Sequence, residues 1–291
     1  MTDQHCLLDP EAVRRHADRA SATYDEFAVL AARLRAQMLE RLGWIAFEPE
    51  SVLDLGCGTG HAAIALASRW PKARVVALDF APGMLRETER HDEAGRCERL
   101  LASAFDVPLP DASVDLVFSN LLLPWCADLD ALFVEVARLL RPRGLFTFTT
   151  CGPDTLAELR DAWRQADHGT HVHPFTDMHD IGDGLIRAGL VEPVLDVSRF
   201  TLTYPDLAAV ARDLKSTGAQ NAAADRPRGL TGRARWQAVE RGYEGYRREG
   251  ILPATVEAVF GQAWAGLEKT GRDDEFAVRV SAIGRREPGG R

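Results

Sequence analysis

The sequence has no apolar run long enough to cross a membrane. Although 46% of its 291 residues are hydrophobic, no stretch approaches the roughly 20 consecutive apolar residues of a spanning helix. Residues 1–20 also lack the apolar segment of a secretory signal. We therefore expect a cytoplasmic protein without membrane contact, in which one large domain, or one domain with an insertion, buries a sizeable core.

Cysteine is scarce, and no pair of cysteines has the C-x-x-C spacing of zinc or redox sites. The five cysteines are scattered along the chain: Cys6, Cys57, Cys97, Cys126 and Cys151. Positive charge is in the minority, because the formal net charge is −8 at pH 7. These absences exclude a wholly basic nucleic-acid-binding surface. They favour free thiols in a reducing compartment, no bound metal and no nucleic-acid partner.

The sequence also lacks the G-x-G-x-x-G pattern of dinucleotide-binding folds. Residues 51–60 read SVLDLGCGTG instead, which predicts a short buried strand followed by three alternate glycines, Gly56, Gly58 and Gly60. Glycines at such a turn let a ligand approach the backbone. Asp54, before the first glycine, suits a cationic ammonium group and would repel a pyrophosphate.

Strand and helix patterns alternate around this turn. Strands are predicted at 52–55, 74–79, 99–102, 114–119 and 145–150. Helices are predicted at 61–69, 82–90 and 130–140, the last ended by the Arg-Pro-Arg-Gly of residues 141–144. Such alternation is typical of an α/β fold whose mostly parallel sheet is covered by helices on both faces. Ligands in these folds bind at the carboxyl ends of the strands.

The remaining segments flank this core. Residues 11–42 predict two helices with a polar break at 21–25, where Tyr24 is either a structural hydroxyl or a lid over a ligand. Later elements are predicted as helices at 154–165, 177–188, 206–216 and 233–248 and strands at 190–204 and 255–260, with an edge strand or ordered tail at 276–283. We divide the chain into N-terminal helices covering the active site (1–45), a ligand-binding core (46–204), a small helical cap (205–252), and the last strand with the tail (253–291).

An acid, Asp79, ends the second predicted strand, where a carboxylate accepts hydrogen bonds from both ribose hydroxyls. The free N–H groups of the helix after the glycine turn suit an anionic group. Together with Asp54, these features favour an adenosine that carries an amino-acid tail. The cofactor predicted from the residues is therefore S-adenosylmethionine.

Four segments in order resemble the class I methyltransferases: DLGCGTG at 54–60, LDFAPGML at 78–85, SNL at 119–121 and RLLRPRG at 138–144. The resemblance implies a Rossmann-like fold with a mostly parallel seven-stranded sheet. We expect the cofactor to contact Tyr24, Asp54, Leu55, Gly56, Cys57, Gly58, Gly60, Asp79, Phe80, Met84, Ser103, Ala104, Phe105 and Asn120.

One position departs from the family. Where the family often has Asp-Ala-Glu after the third strand, this chain has Ser103, Ala104 and Phe105. Ser103 can accept a hydrogen bond from the adenine amino group, but without charge, and Asp106 is near enough to compensate. Phe105 is expected either to line the adenine pocket or to pack in the core.

Segments outside the cofactor motifs resemble the malonyl-[acyl-carrier protein] O-methyltransferases of biotin synthesis. They are SNLLLPWC at 119–126, TCGPDTLAELR at 150–160, FTDMHDIGD at 175–183, LTY at 202–204, DLKSTGAQN at 213–221 and GLTG at 229–232. The PATVEAVFG of residues 253–261 departs mildly from the family pattern. The resemblance covers roughly residues 12 to 264.

The reaction implied is methyl transfer to the free carboxyl of a malonyl thioester on acyl-carrier protein. That carboxylate is already ionised at neutral pH, so it needs desolvation, a clamp and alignment rather than a general base. We accordingly expect structural or surface roles for His171, His173 and His179. The residues expected to clamp, wall or close over the acceptor are Tyr24, Trp125, Lys215, Asn221 and Arg233.

Four arginines, Arg226, Arg228, Arg233 and Arg235, form a local basic segment that either steers an acidic carrier protein or is an ordinary solvated loop. Three other functions stay open: a methyltransferase of another acceptor such as a small molecule or RNA, a hydroxylase-like relative of respiratory complex I assembly factors, and a cofactor-binding protein without turnover. The oligomeric state is also open.

Overall fold

The computed structural model describes residues 8–267, so Cys6 and the predicted segment 276–283 lie outside the described residues. A seven-stranded sheet forms the centre, with strand order β3-β2-β1-β4-β5-β7-β6. Only β7 runs antiparallel to its neighbours within the described chain, which confirms the predicted mostly parallel sheet. The strands are β1 Ser51–Leu55, β2 Arg74–Asp79, β3 Cys97–Leu101, β4 Val114–Asn120, β5 Leu140–Cys151, β6 Leu190–Tyr204 and β7 Leu252–Ala265.

Helices cover both faces of the sheet and its carboxyl end. None of those in residues 8–267 combines the length and apolar character needed to cross a membrane. They are α1 Pro10–Ala20, α2 Tyr24–Phe27, α3 Val29–Arg41, α4 His61–Arg69, α5 Pro82–His91, α6 Leu129–Leu139, α7 Ala157–Arg164, α8 Met178–Arg187, α9 Leu207–Ser216 and α10 Arg233–Glu244, with short 3-10 turns at Leu42–Trp44 and Leu123–Trp125.

Alternate residues of the central strands pack into separate cores on the two faces of the sheet. Leu53 joins the core beneath α6 and α8, whereas its neighbour Val52 joins the core beneath α3 and α4. This alternation follows from the two-residue period of a strand. A third core, which includes Tyr243 and Val210, joins α7, α9 and α10.

The hairpin of β6 and β7 places this third core over the carboxyl end of the sheet. Cys151, the last residue of β5, pairs with Ala258, but β7 begins six residues earlier at Leu252, opposite Tyr204 of β6. The hairpin therefore extends about 20 Å beyond β5 at roughly 3.3 Å per residue. The helices α9 and α10 connect its two strands at that end, in agreement with the two helices predicted there.

Several element bounds differ from the prediction. Strand β5 begins at Leu140 rather than 145, because Arg141 donates to both carboxylate oxygens of Asp115 on β4 at 2.9 Å and ties the Arg-Pro-Arg-Gly segment to the sheet. Helix α7 begins at 157 rather than 154, since Leu156 has a positive φ of 55°. Tyr24 begins the short helix α2 instead of lying in a break.

Candidate functional site

The glycine turn follows β1 and is tied to β2. The backbone N–H groups of Gly56 and Cys57 both donate to the Leu78 carbonyl, at 2.9 and 2.8 Å. Gly60 has a φ of +84°, and a Cβ there would lie 2.5 Å from the Thr88 side chain, so only glycine fits. Gly58 also has a positive φ, +56°, but a Cβ there would meet nothing within 4 Å. Gly60 therefore packs against the protein, whereas Gly58 leaves open space beside the turn.

Asp54 lies beneath this turn as a buried, incompletely paired carboxylate. It is 1% exposed, and its Oδ2 has no hydrogen-bond partner among the described residues. Burial raises the pKa of Asp54 to about 7, opposed by a hydrogen bond from the Ala63 backbone N–H. Such an orphaned acceptor needs a hydrogen-bonding cation to offset its desolvation.

Arg35 of α3 lies on the same small recess as Asp54, together with Tyr24 and Asn120. No carboxylate within residues 8–267 forms an ion pair with Arg35. The recess therefore presents one buried acid and one unpaired guanidinium. A zwitterionic amino-acid group has the complementary charges, an ammonium for Asp54 and a carboxylate for Arg35.

Asp79, at the end of β2, is held rigidly by two backbone N–H groups. Its Oδ1 accepts from Ala81 at 2.8 Å and its Oδ2 from Gly58 at 3.0 Å. Burial raises the pKa of Asp79 to about 6. Because each carboxylate oxygen has two lone pairs, both oxygens can still accept a hydrogen bond from a ligand. The paired hydroxyls of a ribose match this geometry.

A cavity of about 730 Å³ leads from Gly58 and Asp79 to the space beneath α9 and α10. Its wall is mostly apolar and aromatic, and includes Trp125 and Trp236. No lysine or arginine lines it within the part of the chain that the structure describes. A ligand of adenosine size and a second, uncharged arm can therefore share one continuous space.

A family model described as "Methyltransferase domain" matches residues 53–148, from β1 to β5. A curated relative from Methylovorus sp., named malonyl-[acyl-carrier protein] O-methyltransferase, is 49% identical over 97% of this chain and 99% of its own length. The protein of the same name from Laribacter hongkongensis is 48% identical over 88% of this chain and 89% of its own. The chain belongs to the malonyl-[acyl-carrier protein] O-methyltransferase family.

Membership in this family confirms the predicted enzyme class, an S-adenosylmethionine-dependent methyltransferase. A solved structure from Bacillus halodurans, 18% identical, superposes with a TM-score of 0.57 over 79% of this chain and 99% of its own. That likeness bears on the fold alone. It confirms the predicted Rossmann-like class I methyltransferase architecture.

The residues at the carboxyl ends of β1 and β2 fit this cofactor. Asp54 and Arg35 complement the ammonium and carboxylate of its methionine moiety, and Asp79 complements the ribose. Eleven of the residues expected to contact cofactor or acceptor line the recess or the cavity. They are Tyr24, Asp54, Gly56, Cys57, Gly58, Asp79, Phe80, Met84, Asn120, Trp125 and Asn221.

Other expected residues lie away from this space. Leu55 is fully buried in the core and lines neither space. Gly60 also lines neither space, because it abuts Thr88. Ser103 accepts from the backbone N–H of Phe105 at 3.2 Å, and Phe105 is 41% exposed, so it is not a core residue. Ala104 packs against the core. The segment after β3 therefore does not reach the cavity wall.

The cap supplies no cationic clamp to the cavity. Lys215 and Arg233 are exposed and do not line it. Asn221 does line it, but its amide nitrogen donates to the Thr170 carbonyl at 2.6 Å and its amide oxygen accepts from Ala223 at 3.0 Å. Asn221 therefore links its own loop to the loop that contains Thr170, and both ends of its amide already have hydrogen-bond partners.

Asn120 and Tyr24 lie where the recess meets the cavity. The amide oxygen of Asn120 accepts from the Thr149 hydroxyl at 2.7 Å, and its nitrogen donates to the Ala31 carbonyl at 3.1 Å. Asn120 thus joins β4 and β5 to α3. Burial raises the pKa of Tyr24 to about 12, so its hydroxyl stays protonated at neutral pH.

His173 is a buried polar residue that lines the cavity, whereas the sequence predicts a structural or surface role for it. It is 5% exposed, and its Nε2 has no partner among the described residues. Burial lowers the pKa of His173 to about 4, opposed by a hydrogen bond with the Pro124 backbone. Its ring contacts Trp125 at 5.2 Å between centroids. His173 therefore lines the cavity beside Trp125 with a buried ring nitrogen that has no partner among the described residues.

The other two histidines considered from the sequence are paired. His171 stacks on Trp163 at 3.6 Å between centroids and contacts Asp167 at 2.7 Å. His179 is exposed and contacts Asp177 at 2.7 Å. Neither has a free buried nitrogen comparable with that of His173.

The basic segment of the cap is smaller than the sequence indicated. Arg226 forms an ion pair with Asp9 at 3.0 Å, and Asp9 also caps α1. Arg235 pairs with Asp167 at 3.2 Å. Both acids come from segments distant in sequence, which is why the four arginines look unopposed there. Arg228 and Arg233 are the two that have no ion-pair partner in residues 8–267.

Proposed function

We propose that this protein transfers a methyl group from S-adenosylmethionine to the free carboxylate of a malonyl thioester on acyl-carrier protein. The reaction is an early step of biotin (pimeloyl) synthesis and takes place in the cytoplasm. The similar relatives carry that activity in their names. The observation that supports it most in this chain is the apolar cavity of about 730 Å³, free of lysine and arginine within the described residues, that continues from the cofactor turn.

A cavity without cations suits a carboxylate acceptor in this reaction. When bound, S-adenosylmethionine supplies the methyl group on a sulfonium, and transfer to a carboxylate neutralises both charges. A low-dielectric wall strengthens this attraction and removes water from the carboxylate. A lysine or arginine paired with the carboxylate would instead stabilise the bound acceptor before transfer and so raise the barrier to methyl transfer. We therefore assign no general base and no cationic clamp.

Tyr24 is the residue that we assign to the acceptor carboxylate. Its hydroxyl is protonated at neutral pH and lies at the junction of recess and cavity. It can donate one hydrogen bond to the carboxylate oxygen that does not attack the methyl group, without adding charge. Trp125 walls the acceptor on the other side. We assign residues 8–45, the described part of the N-terminal segment, and residues 205–252 to covering the core site.

The thioester arm is assigned to the part of the cavity beside His173, next to Trp125. The free nitrogen of neutral His173 is an acceptor there, because the ring already bonds the Pro124 backbone. An acceptor repels a carboxylate but pairs with the amide N–H of a phosphopantetheine arm. The carrier itself is acidic as a class, and Arg228 and Arg233 are the unpaired basic residues of the cap that we assign to its docking.

Methyl transfer from labelled cofactor tests this function. We expect a labelled methyl ester with malonyl-loaded carrier and none with acetyl-loaded carrier, which lacks the carboxylate. S-adenosylhomocysteine binding by the same preparation serves as the control for an intact cofactor site. Intact binding without any ester would refute the proposed acceptor. Equal labelling of both carriers would show that the carboxylate is not the group methylated.

A further inference from the structure

Three side chains with metal-ligating atoms converge outside the cavity, between α2 and the cofactor turn. His61 Nε2 lies 3.2 Å from Asp25 Oδ1, and His91 Nε2 lies 3.4 Å from Asp25 Oδ2. One ligand atom from each residue lies within 4.8 Å of the other two. The side chains are between 30 and 38% exposed, so an ion can reach them. The three residues come from α2, the start of α4 and the end of α5.

Thr59, in the cofactor turn, orients two of these side chains. Its carbonyl oxygen lies 2.8 Å from His91 Nδ1, and a carbonyl only accepts, so Nδ1 carries the proton. The other ring nitrogen of His91, Nε2, is therefore the one that faces Asp25 and is available as a ligand atom. The Thr59 hydroxyl donates to Asp25 Oδ1 at 2.7 Å. Histidine ligands of metals are commonly fixed by this kind of Nδ1–H to carbonyl bond.

The spacing allows the three side chains to share one ion. Each histidine Nε2 contacts a different oxygen of Asp25, at 3.2 and 3.4 Å, and one ligand atom from each residue lies within 4.8 Å of the other two. Ligand atoms of four-coordinate zinc lie about 3.3 Å apart, so small side-chain rotations bring the three ligand atoms onto one ion. The His61 and His91 rings stack at 4.6 Å between centroids.

We propose that Asp25, His61 and His91 bind a divalent transition-metal ion, with zinc the best match to this donor set. Water fills the fourth position. The ion ties α2 to the cofactor turn, because Asp25 belongs to α2, His61 begins the helix after the turn, and Thr59 is part of the turn itself. The site is separate from the methyl-transfer chemistry and does not depend on the acceptor.

Zinc titration of the full-length, untagged protein tests the site. The protein is stripped with a chelator and titrated with Zn²⁺ against a chromophoric chelator, and Co²⁺ is titrated in parallel for its tetrahedral absorption bands. We expect one ion per chain, and at least tenfold weaker binding in H61A and in H91A. D25N keeps a side-chain oxygen for the Thr59 hydroxyl but loses the charged ligand, and we expect it to weaken binding as well.

A matched control is H179A, since His179 also contacts an aspartate at 2.7 Å but has no second histidine in that contact. We expect it to bind Zn²⁺ like the parent. Circular dichroism of each variant verifies folding, and D25N keeps the result decisive if a histidine variant fails to fold. A parent protein that does not compete for Zn²⁺, or equal affinity in H61A, H91A and the parent, would overturn the proposal and leave a set of histidine–aspartate contacts.

Discussion

We expect Asp54 to make cofactor binding depend on pH. Burial raises the pKa of Asp54 to about 7 in the cofactor-free protein, whereas an ammonium ligand needs the ionised carboxylate. About nine-tenths of Asp54 is ionised at pH 8 and about one-tenth at pH 6, because one unit is a tenfold change in ionisation ratio. We therefore expect the Kd for S-adenosylhomocysteine to rise about tenfold between pH 8 and pH 6 from this residue alone.

We expect Asp79 to add a smaller effect of the same sign on the Kd. Burial raises the pKa of Asp79 to about 6, so about half of Asp79 is protonated at pH 6. The two acids together should raise the Kd about twentyfold between pH 8 and pH 6. The variant Asp54→Asn should bind about 10- to 100-fold more weakly at pH 8, since a charged hydrogen bond is lost. Its remaining pH dependence should be the roughly twofold share of Asp79.

Isothermal titration between pH 6 and pH 8 measures both effects. The variant also controls for any titration of the ligand, which would persist without Asp54. Repeating the titration at pH 7 in two buffers of different ionisation enthalpy should show release of about half a proton by the parent. A parent affinity that is equal at pH 6 and pH 8, or a variant that keeps the tenfold change, would refute the assignment of Asp54 to the ammonium group.

The same pKa has a second consequence for the cofactor-free fold. Unfolded Asp54 ionises near 3.8 and folded Asp54 near 7, so stability falls as the pH rises through this window and stays low above it. The difference corresponds to at most about 4 kcal/mol. Asp54→Asn should accordingly raise the Tm of the cofactor-free protein at pH 8 while weakening its cofactor binding. A variant that loses both stability and binding would point to a structural role instead.

Three further variants, one of them a double substitution, test the site. Arg35→Met should weaken S-adenosylhomocysteine binding about tenfold or more, because a charged hydrogen bond is lost. The control Arg33→Met, on the exposed side of α3, should leave that binding unchanged. Equal effects of the two variants would contradict the assignment of Arg35. Changing both Arg228 and Arg233 to Glu should raise KM for malonyl-carrier protein, and the rise should be smaller at high salt. An equal rise in KM for a malonyl thioester without the carrier would contradict a docking role of these arginines. His173→Phe should raise KM for the pantetheine-linked acceptor with cofactor affinity kept, and unchanged kinetics would remove His173 from the arm site.

The cofactor half of the site could be predicted because its determinants are local in sequence. Strand, glycine turn and helix follow one another, and Asp54 and Asp79 end or adjoin consecutive parallel strands. Since such strands end at one edge of a sheet, their side chains must meet. The structure places both acids beside the glycine turn. Arg35 was missed because helical periodicity shows which side of α3 is buried but not what it is buried against.

The acceptor half depends on contacts that no spacing encodes. Lys215 and Arg233 were expected at the cavity on the strength of family-like segments, but the rotation of the cap helices turns both side chains outward. His173 lies in a loop without periodicity, and its ring is packed against Trp125 and Phe175. In the same way, Asp25, His61 and His91 are too far apart in sequence to suggest a metal site, and α2 brings them together.

Charge is distributed along the site in the order that the proposed reaction requires. The end assigned to the cofactor has two acids and a guanidinium without an ion-pair partner, Asp54, Asp79 and Arg35, each in a position to match one charge or polar group of the ligand. The acceptor end has no lysine or arginine among the described lining residues. Burial lowers the pKa of His173 there to about 4, and Asp213 accepts a hydrogen bond from the Tyr204 hydroxyl at 2.6 Å. Binding energy is thereby concentrated on the part of the cofactor that does not react. In this proposal the positive charge nearest to the acceptor carboxylate is the sulfonium that carries the methyl group. The attraction between them favours methyl transfer over tight binding of the acceptor.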